Sequence, residues 1–572
     1  MPKPFRVILI KPSHYDDDGY VIRWMRSCLP SNTLACLYTI TEAVKDSGVL
    51  GPDVRLSIDA YDEINQQIPI RKIIDQLTAE GASGVVCMVG VQSNQYPRAI
   101  DLARHFRAAG LPVLIGGFHV SGCLSMLETL PDDLTSAMAE GITLVAGEVE
   151  EQWGPVLKDA VAGRLKPLYN FLKDLPSLQG QPMPILPVDV ASRVIGKMTT
   201  FDAGRGCPFE CSFCTIINVQ GRKSRWRSAD DIEAIVRENH RRGLSAYFVT
   251  DDDFARNRNW EAIFDRLILL RERDRINISL TLQVDTACHR IPRFIEKASQ
   301  AGCRKVFIGL ENVNMATLKE TGKKQNRVEE YREMLLAWRK ANAVTFAGYI
   351  IGFPNDTYES VMRDIDLLKR ELPLDLVEFF VLTPLPGSED HQILVKQGAW
   401  LDPDMNKYDT EHPCTDHPKM SREEWMRTYH DAWKSFYTFE HIETIFRRRQ
   451  AEGHSVGKLL GQMIWFRGSM FVEGVHPLQA GIFRRKDRSE RRPGLPQENP
   501  LVFAWRRVRE VTSALTGMAG LAWRLYRISR RVQKDPASRA YRDAAMIPAP
   551  RHRTNAITEK TTAPAKSLVL LD

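Results

Sequence analysis

The feature that most constrains this chain is Gly204-Arg205-Gly206-Cys207-Pro208-Phe209-Glu210-Cys211-Ser212-Phe213-Cys214, where three cysteines follow the spacing CxxxCxxC. The chain has only 10 cysteines in 572 residues, so three in one short loop is a strong concentration. Thiolates hold iron-sulfur clusters, and three protein ligands on a four-iron cube leave one iron open to an outside ligand. A disulfide framework wants an even cysteine set in a small secreted domain. A structural zinc site wants a second cysteine pair, and none follows Cys214. Isolated core thiols are the remaining bland reading.

At these residues the sequence resembles the radical S-adenosylmethionine (SAM) superfamily, whose motif is CxxxCxφC with φ aromatic, here Phe213. The resemblance implies that Cys207, Cys211 and Cys214 ligate a [4Fe-4S] cluster and that the open iron chelates the amino and carboxylate groups of SAM. An electron from the cluster then cleaves SAM to methionine and a 5'-deoxyadenosyl radical, so an electron donor such as ferredoxin or flavodoxin is expected. Gly204 and Gly206 would let the loop wrap the cube at low steric cost.

A hydrophobic content of 43% with 26% charged residues suits a soluble globular protein of two to four domains. Lys or Arg interrupts every long apolar run, which argues against a transmembrane helix. No targeting segment is visible and the cysteines suit a reducing compartment, so a cytoplasmic location is expected, with peripheral contact at the inner membrane face as a variant. The net charge of +7 is a property of the tail: residues 441–572 hold 25 Lys and Arg against 11 Asp and Glu.

Residues 1–165 alternate short apolar strands (Arg6 to Ile10, Val54 to Asp59, Gly84 to Gly90, Pro112 to Gly116, Ile142 to Ala146) with helical patterns. That alternation predicts a doubly wound α/β domain of Rossmann or flavodoxin type, with its ligand site past the strand C-termini. Gly116-Gly117 alone reads as a tight turn and His119 alone as a satisfied loop histidine. Upstream of the cysteine motif, however, the segments Gly116 to His119 (GGxH) and Gly147 to Glu150 (GExE) resemble loops of the cobalamin-binding domain of B12-dependent radical SAM enzymes. The resemblance implies cobalamin contacts at Ser93, Gly116, Gly117, His119 and Glu148. It departs from many cobalamin proteins in lacking an Asp-x-His-x-x-Gly loop, so cobalt would be bound without that histidine.

Residues 166–194 read as a proline-rich extended linker. Residues 195–395 resume the βα alternation, with candidate strands Ala246 to Thr250, Ile278 to Gln283, Lys305 to Gly309, Val344 to Ile351 and Leu376 to Leu382. A helix over Ala229 to Arg241 is capped by Ser228. A parallel βα series of this kind places chemistry on the loops after its strands. Asp251-Asp252-Asp253 is either a solvated helix cap or the carboxylate that meets the SAM ammonium. The family resemblance implies a partial (β/α)6 TIM barrel with SAM contacts at Phe213, Asp252, Glu311, Gly352 and Thr383, the last opening a TPxPG segment. Cys288, Cys303 and Cys414 stand alone, so no auxiliary cluster is expected.

Beyond the barrel, residues 396–483 read as a helical extension, 484–543 as a basic amphipathic helical segment opening in a breaker-rich basic loop, and 544–572 as a disordered tail. Trp425, Tyr429, Trp433 and Phe436 recur at helical spacing and read as a core face. The Arg-rich stretch Leu501 to Val532, with Trp505 and Trp523, either packs on the barrel or lies in a membrane interface. No nucleic-acid partner is expected.

Together these features point to a cobalamin-dependent radical SAM enzyme that functionalises unactivated carbon in a small-molecule or lipid-like substrate, by methyl transfer from methylcobalamin. A cyclase or oxidoreductase resembling the anaerobic magnesium-protoporphyrin monomethyl ester cyclase shares every motif. A non-enzymatic iron-sulfur electron carrier or sensor is the third reading.

Overall fold

The computed structural model describes residues 2–548. The first sheet holds β1 (Lys3–Lys11), β2 (Val54–Asp62), β3 (Ser83–Met88), β4 (Val113–Gly116), β5 (Thr143–Gly147) and β6 (Leu168–Phe171). All pairs are parallel, in the order β2-β1-β3-β4-β5-β6. A parallel strand covered on both faces must be apolar at successive positions. β1 obeys this: Val7 and Leu9 enter one core while Ile8 and Ile10 enter the other. The strand order changes direction between β1 and β3, the switch point where such sheets bind ligands.

β6 lies inside the stretch read as linker from residue 166. It adds a sixth strand by pairing Leu168–Phe171 with Leu144–Gly147. The chain after it runs extended, with Leu178, Ile185 and Leu186 buried as anchors.

The second sheet comprises β7 (Met198–Phe201), β8 (Ala246–Val249), β9 (Ser279–Val284), β10 (Cys303–Glu311), β11 (Val344–Ile351) and β12 (Leu376–Val381), all parallel and paired in chain order. Helices follow the strands, giving a six-stranded, open barrel arrangement. Helix Ala229–Arg241 begins with a reciprocal cap. Ser228 Oγ accepts from the Asp231 amide at 3.1 Å, and the Asp231 carboxylate accepts from the Ser228 amide at 2.8 Å.

Helices Arg422–Phe436, Phe439–Ala451 and Val456–Gly468 cover the far side of β11 and β12. The helical pattern of 421–448 breaks at Tyr437, where Thr438 caps a new helix. Trp425, Tyr429, Trp433 and Phe436 are all buried, so the aromatic stripe is core. Tyr437 locks this layer to β12, its hydroxyl donating to the Val377 carbonyl at 2.8 Å and accepting from the Val377 amide at 3.0 Å.

The basic segment expected from 484 opens with two residues of strand before its loop at 486–499. Gly481–Arg485 is a strand, antiparallel to Arg23–Ser27. The ribbon buries Trp24, whose indole donates to the Gln479 carbonyl at 2.8 Å, and Arg23 reaches both Glu63 and Glu490. Helix Pro500–Lys534 follows, seated through Leu521, Leu525, Ile528 and Val532. Ala544–Met546 forms a 3-10 turn with Ala545 buried, which places order inside the stretch expected to be disordered from 544; residues 549–572 lie outside the described residues. No helix among the described residues is long and apolar enough to cross a membrane.

Candidate functional site

The cysteine loop leaves β7 and is held from both sides. Gly206 has φ +88°, and a Cβ there would sit 2.7 Å from the Lys223 carbonyl oxygen and 2.9 Å from that of Gly221. The Cys207 amide donates to Gly221 O at 3.2 Å, and the Ser212 amide to Thr321 O at 3.1 Å. Within the loop the Cys214 amide donates to Cys211 O at 3.1 Å. Burial pushes the Cys207 and Cys214 thiols up to about 12 and raises that of Cys211. Thiols so placed ionise only against positive charge, which iron supplies. Among the described residues no three acidic, cysteine or histidine side chains converge on one metal ion.

The three aspartates after β8 divide their work. Asp251 Oδ1 accepts from the amides of Ala203 and Gly204 at 2.7 and 2.8 Å, and Oδ2 from Asn257 at 2.9 Å, so this carboxyl holds the root of the cysteine loop. Burial lifts it to about 7 despite those donors. Asp253 is a cap, accepting from the Ala255 amide at 3.2 Å. Asp252 accepts from the Gly206 amide at 3.1 Å and lines a cavity, also lifted to about 7 by burial. Of the three, Asp253 carries the cap and Asp252 faces the cavity.

Glu311 ends β10 with a left-handed φ of +62° and is ion-paired with buried Lys323. Burial alone would lower the Lys323 ammonium, but Glu311 and the thiols of Cys211 and Cys214 hold it above its ordinary value. Its ammonium also lies 5.7 Å from the centre of the Phe213 ring, which meets Phe353 edge-on at 6.0 Å. No sequence motif marks Lys323. It reaches the cluster loop because the turn at Thr321–Gly322 abuts Glu210, where a Cβ on Gly322 would lie 2.6 Å from the Glu210 carbonyl oxygen.

Gly352 and Thr383 sit at the ends of β11 and β12. The side open to a Cβ on Gly352 is filled by Trp425, with ring atoms 2.0 Å from that position, so helix packing demands the glycine. The Gly352 and Phe353 amides both donate to Asp356, at 2.9 and 3.0 Å. Thr383 is buried with its hydroxyl donating to Val381 O at 3.1 Å. Beyond it, the Pro386-Gly387 turn packs on helix Phe118–Met126 of the first domain through Gly122.

A cavity of about 350 Å³ lies between the C-terminal ends of β3, β4 and β5 and the cysteine loop. Gly90, Gly116 and Gly117 line it from the first domain, Arg205 and Asp252 from the second, and Leu37, Ile40 and Trp153 add apolar wall. A Cβ on Gly117 would fall 2.1 Å from the Val91 nitrogen, so two strand-end loops meet there at backbone contact. Glu148 also lines the cavity but is committed: Arg205 Nη1 donates to it at 2.6 Å and to Glu150 at 2.5 Å, Arg205 Nε donates to Asp202 at 2.9 Å, and Arg225 pairs with Glu148 from the other side. The GExE loop thus clamps the first domain onto the cysteine loop.

Ser93 and His119 are brought together, but outside this cavity. His119 Nδ1 meets Ser93 Oγ at 3.1 Å and Nε2 meets Asp133 at 2.9 Å, with the ring against Tyr96 at 4.2 Å. Both nitrogens are engaged, and among the described residues no histidine lines the cavity. A corrinoid fits the glycine-lined strand ends and the apolar wall without an imidazole from this domain.

The Radical SAM superfamily profile matches residues 203–368. Bacteriochlorophyllide d C-8(2)-methyltransferase of Chlorobaculum tepidum is 27% identical over 391 residues, covering 64% of this chain and 81% of the relative. Among solved structures, the radical SAM methyltransferase TsrM of Kitasatospora setae, with cobalamin and a [4Fe-4S] cluster bound, superposes with a TM-score of 0.52 at 16% identity, over 70% of this chain and 79% of that one. The cobalamin-dependent SAM radical enzyme OxsB gives 0.51 at 13% identity over 95% of this chain and 82% of its own. At those identities the two structures speak to the fold, and that fold spans both sheets.

Proposed function

Because residues 203–368 match the Radical SAM superfamily profile, we propose that this chain is a cobalamin-dependent radical SAM C-methyltransferase acting on an apolar small molecule. One observation supports this reading: the strand ends Gly116-Gly117 of the first domain and Arg205 and Asp252 of the second wall a single cavity. When bound, the cluster and corrinoid supply the electron that cleaves SAM and the methyl group that is transferred.

The chain's own residues prepare the place. Cys207, Cys211 and Cys214 would hold the cluster, and Phe213 with the Glu311–Lys323 pair would border the SAM side of it. Asp252, lifted to about 7 by burial, gains its charge most readily opposite a cation, as the SAM ammonium would be. Gly116 and Gly117 line the strand ends where a corrinoid would lie, and Gly352 and Thr383 stand at the β11 and β12 ends that would face SAM. Leu37, Ile40 and Trp153 give the chamber an apolar wall. The apolar wall favours a lipid-like substrate, and a ferredoxin or flavodoxin is the class of donor that would reduce the cluster.

The test is anaerobic product analysis with methyl-labelled SAM and cobalamin-loaded protein in cell extract. Equal 5'-deoxyadenosine and S-adenosylhomocysteine, with label in one metabolite, is the expected result. Deoxyadenosine without homocysteine would replace methyl transfer by cyclisation or redox rearrangement.

A further inference from the structure

We propose that the outward face of helix Pro500–Lys534 is a docking surface for an anionic lipid bilayer. The helix is 35 residues long, about 50 Å at the α-helical rise. Leu521, Leu525, Ile528 and Val532 seat it on the protein. The opposite side carries Trp505, Val508, Leu515 and Trp523, which are 64, 66, 51 and 62% exposed. An outward helix face is ordinarily polar, and contiguous apolar surface left in water marks an interaction site.

Charge narrows the partner. The only carboxylate between 500 and 534 is Glu510. It faces Arg506, Arg507 and Lys486. Arg509, Arg527 and Arg530 are exposed and form no ion pair among the described residues, and Arg509 stacks 5.0 Å from the Trp505 ring. A second copy of this helix would set arginine against arginine with no acid to answer, at an energetic cost. Nucleic acid would satisfy the arginines and leave the tryptophan, valine and leucine stripe in water. A bilayer interface takes both: tryptophan and leucine enter the acyl boundary while arginines meet anionic head groups. The surface is independent of the chemistry proposed above and stands or falls separately from it.

The experiment is vesicle flotation of the full-length, cluster-loaded protein with 3:1 phosphatidylcholine and phosphatidylglycerol, against phosphatidylcholine alone. The protein should float with the anionic vesicles and release as salt is raised. Each arginine near such a surface is worth about fivefold in partition. The variant R509E/R527E/R530E should therefore lose binding at least tenfold, and W505S/W523S should lose it on vesicles of either composition. Both variants change exposed positions, and unaltered SAM cleavage would verify their fold. No flotation of the wild type at low salt, or equal flotation of wild type and both variants, overturns the proposal. So does a wild-type dimer in light scattering that W505S/W523S dissolves while vesicle binding is absent, because the face would then belong to a second copy.

Discussion

Gly122 and Gly387 face each other across the junction of the two sheets, so closely that a Cβ on Gly387 would lie 2.8 Å from the Gly122 Cα. The reciprocal Cβ on Gly122 would lie 2.1 Å from the Pro386 carbonyl oxygen. Backbone on backbone cannot yield as a flexible side chain does. Gly122→Ala should cost about 1–3 kcal/mol by overpacking, seen as a lower melting temperature together with faster proteolysis at the junction. An unchanged melt would show that the two domains part freely here.

Arg205 is the charged counterpart of that contact. Its guanidinium alone joins Asp202, Glu148 and Glu150. Arg205→Ala leaves three poorly solvated carboxylates facing one another, relieved among the described residues by Arg225 and Arg227. A loss of about 3–5 kcal/mol is expected, and Arg205→Lys should recover only part of it, since a lysine cannot fork. Full stability in Arg205→Ala by chemical denaturation would refute the clamp.

Replacing any one of Cys207, Cys211 or Cys214 by alanine should abolish cluster assembly and 5'-deoxyadenosine formation while leaving the fold intact. Iron content and product assays under anaerobic conditions read both. Cleavage of SAM that survives the loss of one thiol would remove the cluster from this loop.

Glu378 offers a pH test on a buried carboxyl of the barrel. It is buried in β12 with one carboxyl oxygen lacking a partner, and burial pushes it up to about 8 from an ordinary 4.5. The folded state therefore holds a proton that the unfolded state releases between those values. Stability contributed at this position is complete below pH 4.5 and declines as pH rises towards 8. Glu378→Gln removes that decline, so the stability of the variant relative to wild type should climb by about 1.4 kcal/mol per pH unit across the window. Denaturant melts at pH 5 and pH 8 check it, and a constant difference between the two proteins would contradict the buried neutral carboxyl.

The sequence made the two parallel sheets legible because strands buried on both faces, such as Val7 to Ile10, read as unbroken apolar runs. Three clustered cysteines likewise mark their own loop. Edges were harder. Leu168–Phe171 is four residues long beside prolines, and its strand character comes from pairing with β5. Gly481–Arg485 ends in two arginines and looks solvent-bound until Arg23–Ser27 is set against it. Site residues followed the same division. Asp252 and Glu148 lie in segments that the sequence marks, and both line the cavity, although what Glu148 touches, Arg205, could not be read from it. Lys323 carries no motif, and His119 had one yet turned its ring towards Ser93 and Asp133.

The ribbon that buries Trp24 joins residues 455 positions apart. A ribosome must therefore release nearly the whole barrel and its helical cover before this tryptophan finds its partner strand. Until then the first domain, though its sheet is complete, presents bare indole and an unpaired strand edge to its surroundings, the kind of surface that chaperones bind and that aggregates grow from. Late closure of that ribbon is a step in biogenesis that truncation near residue 480 would arrest.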